Sequence, residues 1–546
     1  MNELNPLIYS GLTLVKKHCK KQNFLYLVTL ISLLITSLQT LVAQNEIPCD
    51  LVELSNKALG INPILLQNKN QILSAEGGIQ IQQGVFNPVF LSGISYQDNR
   101  SNLFDQDPRN ELIDNNLIET ETIDFTLGLQ KTFRNGLFST LNVDYADVAN
   151  NFPLNQFNQN VRPFLSNHTF SSTLALTQPL LRGSGIKVAT ALEKAAILRS
   201  ESVQNNYQNE SAFQLLQIAV AYWQYTAAFQ NWLIYKENED RVANVLRITK
   251  ELVKADKKPA GDLVQIQADL ANQQRLTNTA FQNFQNSKIN LGRAVGLNET
   301  ESEALSIPLN TFPEISTSGV DGALLKDKLL EQALINRNDL QAFQKEKEAL
   351  MKQVRLAANN RNPELNLTGF VSYGGTNFGN GIDRAFSAIT NKDGSNYTVG
   401  VRLNLSLPIL NQTARGTYLQ QKTALDNQEI ATDNLERNIS LNVNIAVTNV
   451  ENSASILKKA KETLTYSQEV FTNEQIKFKN GLTTLLNLIL FQERLTFAQL
   501  EYQQAQLQFA VAIANLRYET GTLVAFTDSV NTPIISKQQY YTVPKT

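Results

Sequence analysis

The residue types that most often carry chemistry in proteins are scarce in this chain. Of its 546 residues, the histidines are His18 and His168, and the cysteines are Cys19 and Cys49. These four residues cannot assemble a histidine–cysteine metal cluster, and acid–base catalysis by histidine would rest on His168 alone. The sequence also contains no phosphate-binding loop and no nucleophile elbow. We therefore expect no catalytic residue, no cofactor and no metal site, so an enzyme is the least favoured class.

The N-terminal segment has the pattern of a secretory signal. Lysines at positions 16–21 precede an apolar run at 24–41, and the small residue Ala43 follows. This order predicts a signal peptide over residues 1–43, with a retained membrane anchor as the alternative. No later run approaches the ~20 apolar residues of a spanning helix, so a mature chain that enters a membrane must do so as a barrel. Positive and negative charges nearly balance, at 48 and 50, which predicts no nucleic-acid partner.

An internal duplication organises the rest of the chain. Four residues of one short segment recur 275 positions later, where Leu54, Ala58, Leu59 and Leu65 correspond to Leu329, Ala333, Leu334 and Leu340. The pair Asn87-Pro88 recurs at the same offset as Asn362-Pro363. We therefore predict two structural repeats, 44–297 and 326–521, separated by a linker at 298–325 and followed by a tail at 522–546. Each repeat is interpreted as a short helix, a strand region and a long helical hairpin.

The strand regions are predicted at about 88–181 and 363–408. Residues 397–407 alternate apolar and polar side chains without a break, and such a strand is about as long as one that crosses a bilayer at a tilt. The first region has an extra hairpin at 122–148, turning at Asn135-Gly136. The alternative is a soluble β-sandwich in which one face of the sheet is exposed to water. Four to six strands cannot close a wide barrel, so transmembrane strands would require several chains to share one.

The helical hairpins are predicted at 183–297 and 412–521. In the second hairpin, apolar side chains recur every seven residues along the return limb, at Leu488, Leu495, Tyr502, Phe509 and Leu516. This is a coiled-coil seam, and the limb before it is long enough to reach roughly 100 Å as a helix. Turn residues interrupt the two hairpins at 254–262 and 478–484. The alternative is a coiled coil of an envelope structural protein, which would leave the duplicated amphipathic strands unexplained.

In its repeats, strand regions and hairpins, the chain resembles the TolC family of outer-membrane efflux and secretion channels. The local motifs lie at 58–63, 176–181, 405–410 and 480–487. The resemblance implies an α+β membrane protein that forms a homotrimer, with one shared β-barrel in the outer-membrane lipid and a coiled-coil tunnel across the periplasm. The linker and tail would surround the tunnel's waist. The partners implied are a periplasmic adaptor and an inner-membrane pump or ATP-driven exporter.

The family's tip motif places a glycine at each hairpin turn and an acidic residue six positions later. By this resemblance, the periplasmic entrance and adaptor contacts are expected at Asp256, Asp262, Gly481, Thr483, Asn487 and Leu490. Asp256 stands where glycine is expected, and Asn487 replaces the acid of the second repeat. For Asp262, a role in the pore and a role as a helix cap are both open. Strand–helix junctions are expected at Pro179 and Pro408.

Overall fold

We analysed a computed structural model of the chain, which describes residues 46–111, 113, 116–151, 164–320, 324–390, 396–526 and 533–545. The predicted signal peptide lies outside these residues. In the first half the elements are β1 Ile47–Cys49, α1 Leu51–Ile61, α2 Pro63–Gly84, β2 Val89–Asn102, a 3-10 turn Pro108–Glu111, β3 Leu117–Thr132, β4 Phe138–Asn150, β5 Leu165–Pro179, α3 Ile186–Ala189, α4 Ala191–Lys254 and α5 Ala260–Val295.

The second half begins with the linker and repeats the same order of helix, strand and hairpin. Its elements are α6 Glu299–Glu303, β6 Leu305–Pro308, α7 Ile315–Ser318, α8 Lys326–Asn336, α9 Asn338–Asn359, β7 Glu364–Phe378, α10 Ile382–Thr390, β8 Asn396–Ser406, α11 Gln412–Lys479, α12 Leu485–Glu519, β9 Ala525–Phe526, β10 Pro533–Ile534 and α13 Lys537–Tyr541. Among the described residues, no helix is both long and apolar enough to span a membrane.

Each half opens with two consecutive short helices, where the sequence indicated one. Asn62 separates α1 from α2; its side chain accepts the amide of Ile64 at 3.0 Å and donates to Ala294 O at 3.1 Å. Arg337 separates α8 from α9 at the equivalent place, and its buried guanidinium contacts Asp339 at 2.6 Å and Glu519 at 2.7 Å. Both breaks therefore fasten the short helices to the end of the long hairpin of the same half.

The longer strands form one antiparallel sheet in the order β2-β3-β4-β5-β7-β8 within the described residues. The pairing of β5 with β7 joins the two halves of the chain. The extra hairpin β3–β4 lies inside the sheet, between β2 and β5. Its turn is closed by a 2.8 Å bond from Phe133 N to Leu137 O, and Gly136 supplies the positive φ of 91° that the turn requires.

The two faces of this sheet differ in polarity along every strand. One row of directly paired apolar side chains crosses all the strands in sheet order, at Phe90, Leu129, Leu141, Leu174, Val371 and Val399. All six are well exposed, from 38% at Leu141 to 67% at Phe90. The neighbouring row on the other face is mainly polar, at Leu91, Gly128, Asn142, Thr173, Ser372 and Thr398. The sheet thus has one apolar face and one polar face.

The long helices pair as two antiparallel hairpins, α4 with α5 and α11 with α12. The seam predicted from the seven-residue spacing is buried on α12, where Leu488, Leu495, Phe509 and Leu516 are at most 1% exposed. At 64 and 68 residues, α4 and α11 reach about 100 Å each. The short helices α2 and α9 pack against these long helices next to the sheet.

Linker and tail meet at a compact aromatic core around the middle of α4. Tyr222 donates to Asn310 Oδ1 at 2.8 Å, and Tyr540 of the tail is hydrogen-bonded to Ser55 of α1 at 2.9 Å. Arg517 holds the tail by donating to Thr542 O at 2.6 Å. Cys49 is fully buried beside this core, and burial raises the pKa of its thiol to about 12. This thiol is therefore protonated and unreactive at neutral pH.

Candidate functional site at the helical tips

The two hairpins turn at equivalent places of the repeat and with the same backbone geometry. Asp256, two residues after α4, has a φ of +51°, and Gly481, two residues after α11, has a φ of +73°. In both turns the next amide donates to a helix carbonyl five residues earlier, at 2.9 Å. A left-handed residue followed by this bond is a common helix ending. Asp256 therefore takes the backbone role that glycine has in the second repeat.

Asp262 and Asn487 occupy the same position in the two return helices. Each is the third residue of its helix, α5 or α12. The amide of Asn487 donates to Thr484 Oγ1 at 3.2 Å, so Thr484 caps α12. Pro259 occupies the cap position of α5, where no side-chain capping bond forms among the described residues. Asp262 lies in the first turn of α5, where its carboxylate suits the N-terminal dipole, and its role in the pore stays a prediction.

Thr483 lies at the centre of a small polar network in the second turn. Its hydroxyl donates to Glu474 and accepts from Asn487 Nδ2 at 3.4 Å. Lys477 Nζ lies 3.2 Å from the other carboxylate oxygen of Glu474. The hydrogen bond from Thr483 lowers the pKa of the Glu474 carboxyl, so it is ionised at neutral pH. Thr483 is thereby anchored to a carboxylate on the outgoing helix α11, and Asn487 joins this network through the Thr483 hydroxyl.

Lys258 links the two turns of one chain. Its ammonium donates to Thr483 O at 3.2 Å and lies 5.3 Å from the ring centre of Phe478. The sequence did not single out Lys258 or Glu474. Glu474 could have been found from its spacing, because it lies between Phe471 and Phe478 on the buried face of α11. Lys258 had no such local signal, since its partners are more than 200 positions away.

Apolar side chains are exposed on the return helix beside this network. Leu490 is 42% exposed, Leu486 63% and Phe497 65%, and their spacing places them on one face of α12. Leu482, in the turn itself, is 75% exposed. An apolar stripe of this kind next to polar turns is typical of a protein contact surface. It includes one expected contact residue, Leu490, and adds others that the sequence analysis did not name.

The expected junction prolines lie at the opposite end of the helices. Pro179 is the last residue of β5 and pairs with Asn366 of β7, while Pro408 follows β8 by two residues. Between Pro179 and α4, Gly183 and Gly185 have φ values of +80° and +86°. The chain therefore turns from strand to helix within a few residues.

A buried polar layer lies between the hairpins, closer to the tips than the aromatic core. Asn238 of α4 donates to Gln273 of α5, and Gln492 of α12 donates to Asn238, both at 2.8 Å. All three side chains are at most 5% exposed. A buried, mutually satisfied polar layer fixes the register of packed helices. In the described part of the chain, no group of three or more histidine, cysteine, aspartate or glutamate side chains is placed to hold a metal ion.

Comparisons with known proteins agree with this architecture. A family model described as Outer membrane efflux protein matches residues 329–522. A search of curated proteins finds no match. Among solved structures, the outer-membrane channel OprN has a TM-score of 0.61 and 14% identity, with 86% of this chain and 90% of that chain covered.

Two further solved structures are similar to this chain to about the same degree. The CmeC outer membrane channel of Campylobacter jejuni has a TM-score of 0.59 and 13% identity, covering 86% of this chain and 85% of that one. The outer membrane protein VceC of Vibrio cholerae has a TM-score of 0.59 and 14% identity, covering 86% and 96%. At these identities the similarity establishes the fold. The predicted fold class of long helical hairpins with strands is confirmed, and the predicted resemblance and outer-membrane location agree with the family model.

Proposed function

Because the family model described as Outer membrane efflux protein matches residues 329–522, we propose that this chain is the outer-membrane channel of a multi-component efflux or type I secretion system. The observation that carries the proposal is the apolar row across β2-β3-β4-β5-β7-β8 on the same chain as two hairpins about 100 Å long. Such a chain combines a lipid-compatible surface with a long duct. The channel itself is passive, and its partner supplies the energy.

The membrane part of the proposal rests on the sheet. Exposed side chains such as Val399 at 65% and Phe90 at 67% would be costly in water as a continuous band, and they gain about 25 cal/mol per Å² in contact with lipid. Strands β2 and β8 have no outer strand partner among the described residues. Lipid does not tolerate open edges. We therefore propose that β8 of one copy pairs with β2 of the next, closing a barrel shared by a homotrimer.

The periplasmic part rests on the hairpins and their tips. Three copies place six tips around the periplasmic mouth, with Asp262 and Asn487 alternating there. The turn residues Asp256, Gly481 and Thr483 hold this geometry. The exposed stripe of α12 is the proposed contact for a periplasmic adaptor, which couples the channel to an inner-membrane pump or ATP-driven exporter.

Two measurements test the proposal together. Membranes from cells that produce the chain are extracted with carbonate, and the detergent-solubilised protein is analysed by native mass spectrometry. We expect resistance to carbonate and a mass of three chains. In planar bilayers the purified protein should conduct ions without a nucleotide. A carbonate-soluble chain that remains monomeric would overturn the proposal and favour a structural coiled-coil protein of the envelope.

A further inference from the structure

Resting on the proposed channel function, we infer that the extra hairpin β3–β4 is part of the lipid-spanning wall, so each copy contributes six strands to that wall instead of four. The duplication alone supplies two strands from each repeat, and the hairpin is the addition. It is paired along its length on both sides: β3 residues 117–130 pair with β2, and β4 residues 138–150 pair with β5. An appendage above the membrane would not need these ladders.

The side chains of the hairpin continue both faces of the sheet. On the apolar face, Phe125 pairs with Ile94 of β2, and Leu141 pairs with Leu174 of β5. On the polar face, Asp144 pairs with Ser171. Because side chains alternate along a strand, an unbroken row across the sheet requires the hairpin to sit in the same register and at the same depth as its neighbours.

The turn of the hairpin lies at the level where the strands give way to helices. Arg134 Nη2 contacts Glu193 Oε1 at 2.6 Å, and Glu193 belongs to the first turn of α4. The Arg134 guanidinium also lies 4.9 Å from the ring centre of Phe86, just before β2. A Cβ at Gly136 would come within 2.8 Å of Gly183 O at the strand–helix junction. The hairpin is therefore fastened to the helical end of the sheet, which is the proposed periplasmic side.

The width of the sheet also agrees with the width of the adjoining helices when each copy contributes six strands. Helices α2 and α9 lead into strands β2 and β7, and strands β5 and β8 lead into helices α4 and α11 through short connections, so the sheet adjoins these four helices. Four helices packed about 10 Å apart span an arc of roughly 40 Å. Six strands spaced ~4.8 Å apart and tilted by ~40° span roughly 38 Å, whereas four strands span only ~25 Å. Six strands per copy therefore match the width of the four helices better than four strands do, whatever the number of copies.

The test is site-directed spin labelling, in lipid vesicles, of variants that each carry one introduced cysteine. Phe125→Cys and Thr126→Cys probe successive positions of β3, and Val371→Cys and Ser372→Cys are the matched controls on β7. The native Cys49 stays in place, because its buried thiol has a pKa of about 12 and does not label at neutral pH. Collisions are measured with oxygen, which concentrates in lipid, and with a nickel chelate, which stays in water.

We expect opposite accessibilities at neighbouring positions in both strands. Labels at 125 and 371 should favour oxygen by several-fold, and labels at 126 and 372 should favour the nickel chelate. If the β7 controls alternate and both β3 labels favour the chelate, the hairpin lies outside the membrane and the inference is wrong, while the proposed function stands. If the β7 controls also favour the chelate at both positions, the proposed membrane channel itself is wrong.

Discussion

The buried polar layer of the hairpins gives a sharp energetic prediction. Replacing Asn238 with leucine removes both of its 2.8 Å hydrogen bonds and leaves Gln273 Oε1 and Gln492 Nε2 without a partner in a dry interface. Each orphaned polar group costs about 1–3 kcal/mol. The added apolar surface offsets little, because leucine is larger than the asparagine around which this interface is packed. We therefore expect a local destabilisation of about 2–5 kcal/mol per copy.

The triple variant Asn238→Leu, Gln273→Leu, Gln492→Leu is the matched control. Removing all three amides leaves none of them orphaned, while Arg241 Nη2 loses its 3.4 Å contact with Asn238 and keeps those with Thr496 and Gln499. Removing both partners of a hydrogen bond is often neutral or stabilising. The three substitutions should therefore be strongly non-additive, with the triple variant closer to the parent than the single variant is. If the layer serves to fix register, the triple variant should keep its stability and lose the unique alignment of α4 with α12.

Amide hydrogen exchange of the protein in detergent measures this local destabilisation, and it does not require reversible unfolding. A local loss of 2 kcal/mol speeds exchange of the protected amides by about 30-fold, since 1.4 kcal/mol corresponds to a factor of ten. The effect should be confined to amides at 234–242 of α4 and their neighbours, with 443–450 of α11 as the internal reference. Exchange equal to that of the parent in Asn238→Leu, or equally fast exchange in the single and triple variants, would refute the reasoning.

Three other outcomes follow from the tips and the tail. Trivalent cations added on the periplasmic side of planar bilayers should weakly block the ion current. Asn487→Asp should strengthen this block and Asp262→Asn should weaken it, because negative charges close together attract multivalent cations. An unchanged block in both variants would place both residues away from the pore. Asp256→Gly should slow amide hydrogen exchange in the first turn by several-fold, while Gly481→Ala should speed it in the second. The reason is that the left-handed backbone conformation costs a residue with a Cβ, such as alanine, about 1–2 kcal/mol. Arg517→Met should release the tail, seen as faster proteolysis after residue 533, whereas unchanged cleavage would show that apolar contacts alone hold it.

The parts of the fold that could be predicted from the sequence are those in which apolar residues recur at a short, regular spacing. The seven-residue seam of α12 and the alternation of β8 are visible because neighbours in space are also close in sequence. The place of the hairpin β3–β4 was not predictable in the same way. Asn135-Gly136 indicates a turn, but only the long-range pairing of β4 with β5 and of β5 with β7 places the hairpin inside the sheet.

The tips illustrate the same limit at the level of single residues. The equivalence of Asp256 and Gly481 followed from the repeat, although glycine alone signals a left-handed backbone in a sequence. Asp262 lies in the first turn of α5, where a carboxylate suits the N-terminal dipole, and Pro259 takes the cap position itself. Lys258 could not be identified because its partner, Thr483 O, belongs to the other hairpin. Contacts between repeats leave no local pattern.

The aromatic core at the waist has a consequence for how the chain folds. β1, at residues 47–49, pairs with β6 at 305–308, and Ser55 reaches Tyr540, which lies 485 positions later. The hairpins need only local contacts and can form early, but contacts of such high sequence separation form slowly. During synthesis the segment around Ser55 emerges long before Tyr540, so this contact forms only after the chain has grown by a further 485 positions. A chain truncated before Tyr540 can still form its helical hairpins, but it cannot make the contact between Ser55 and Tyr540 at the waist.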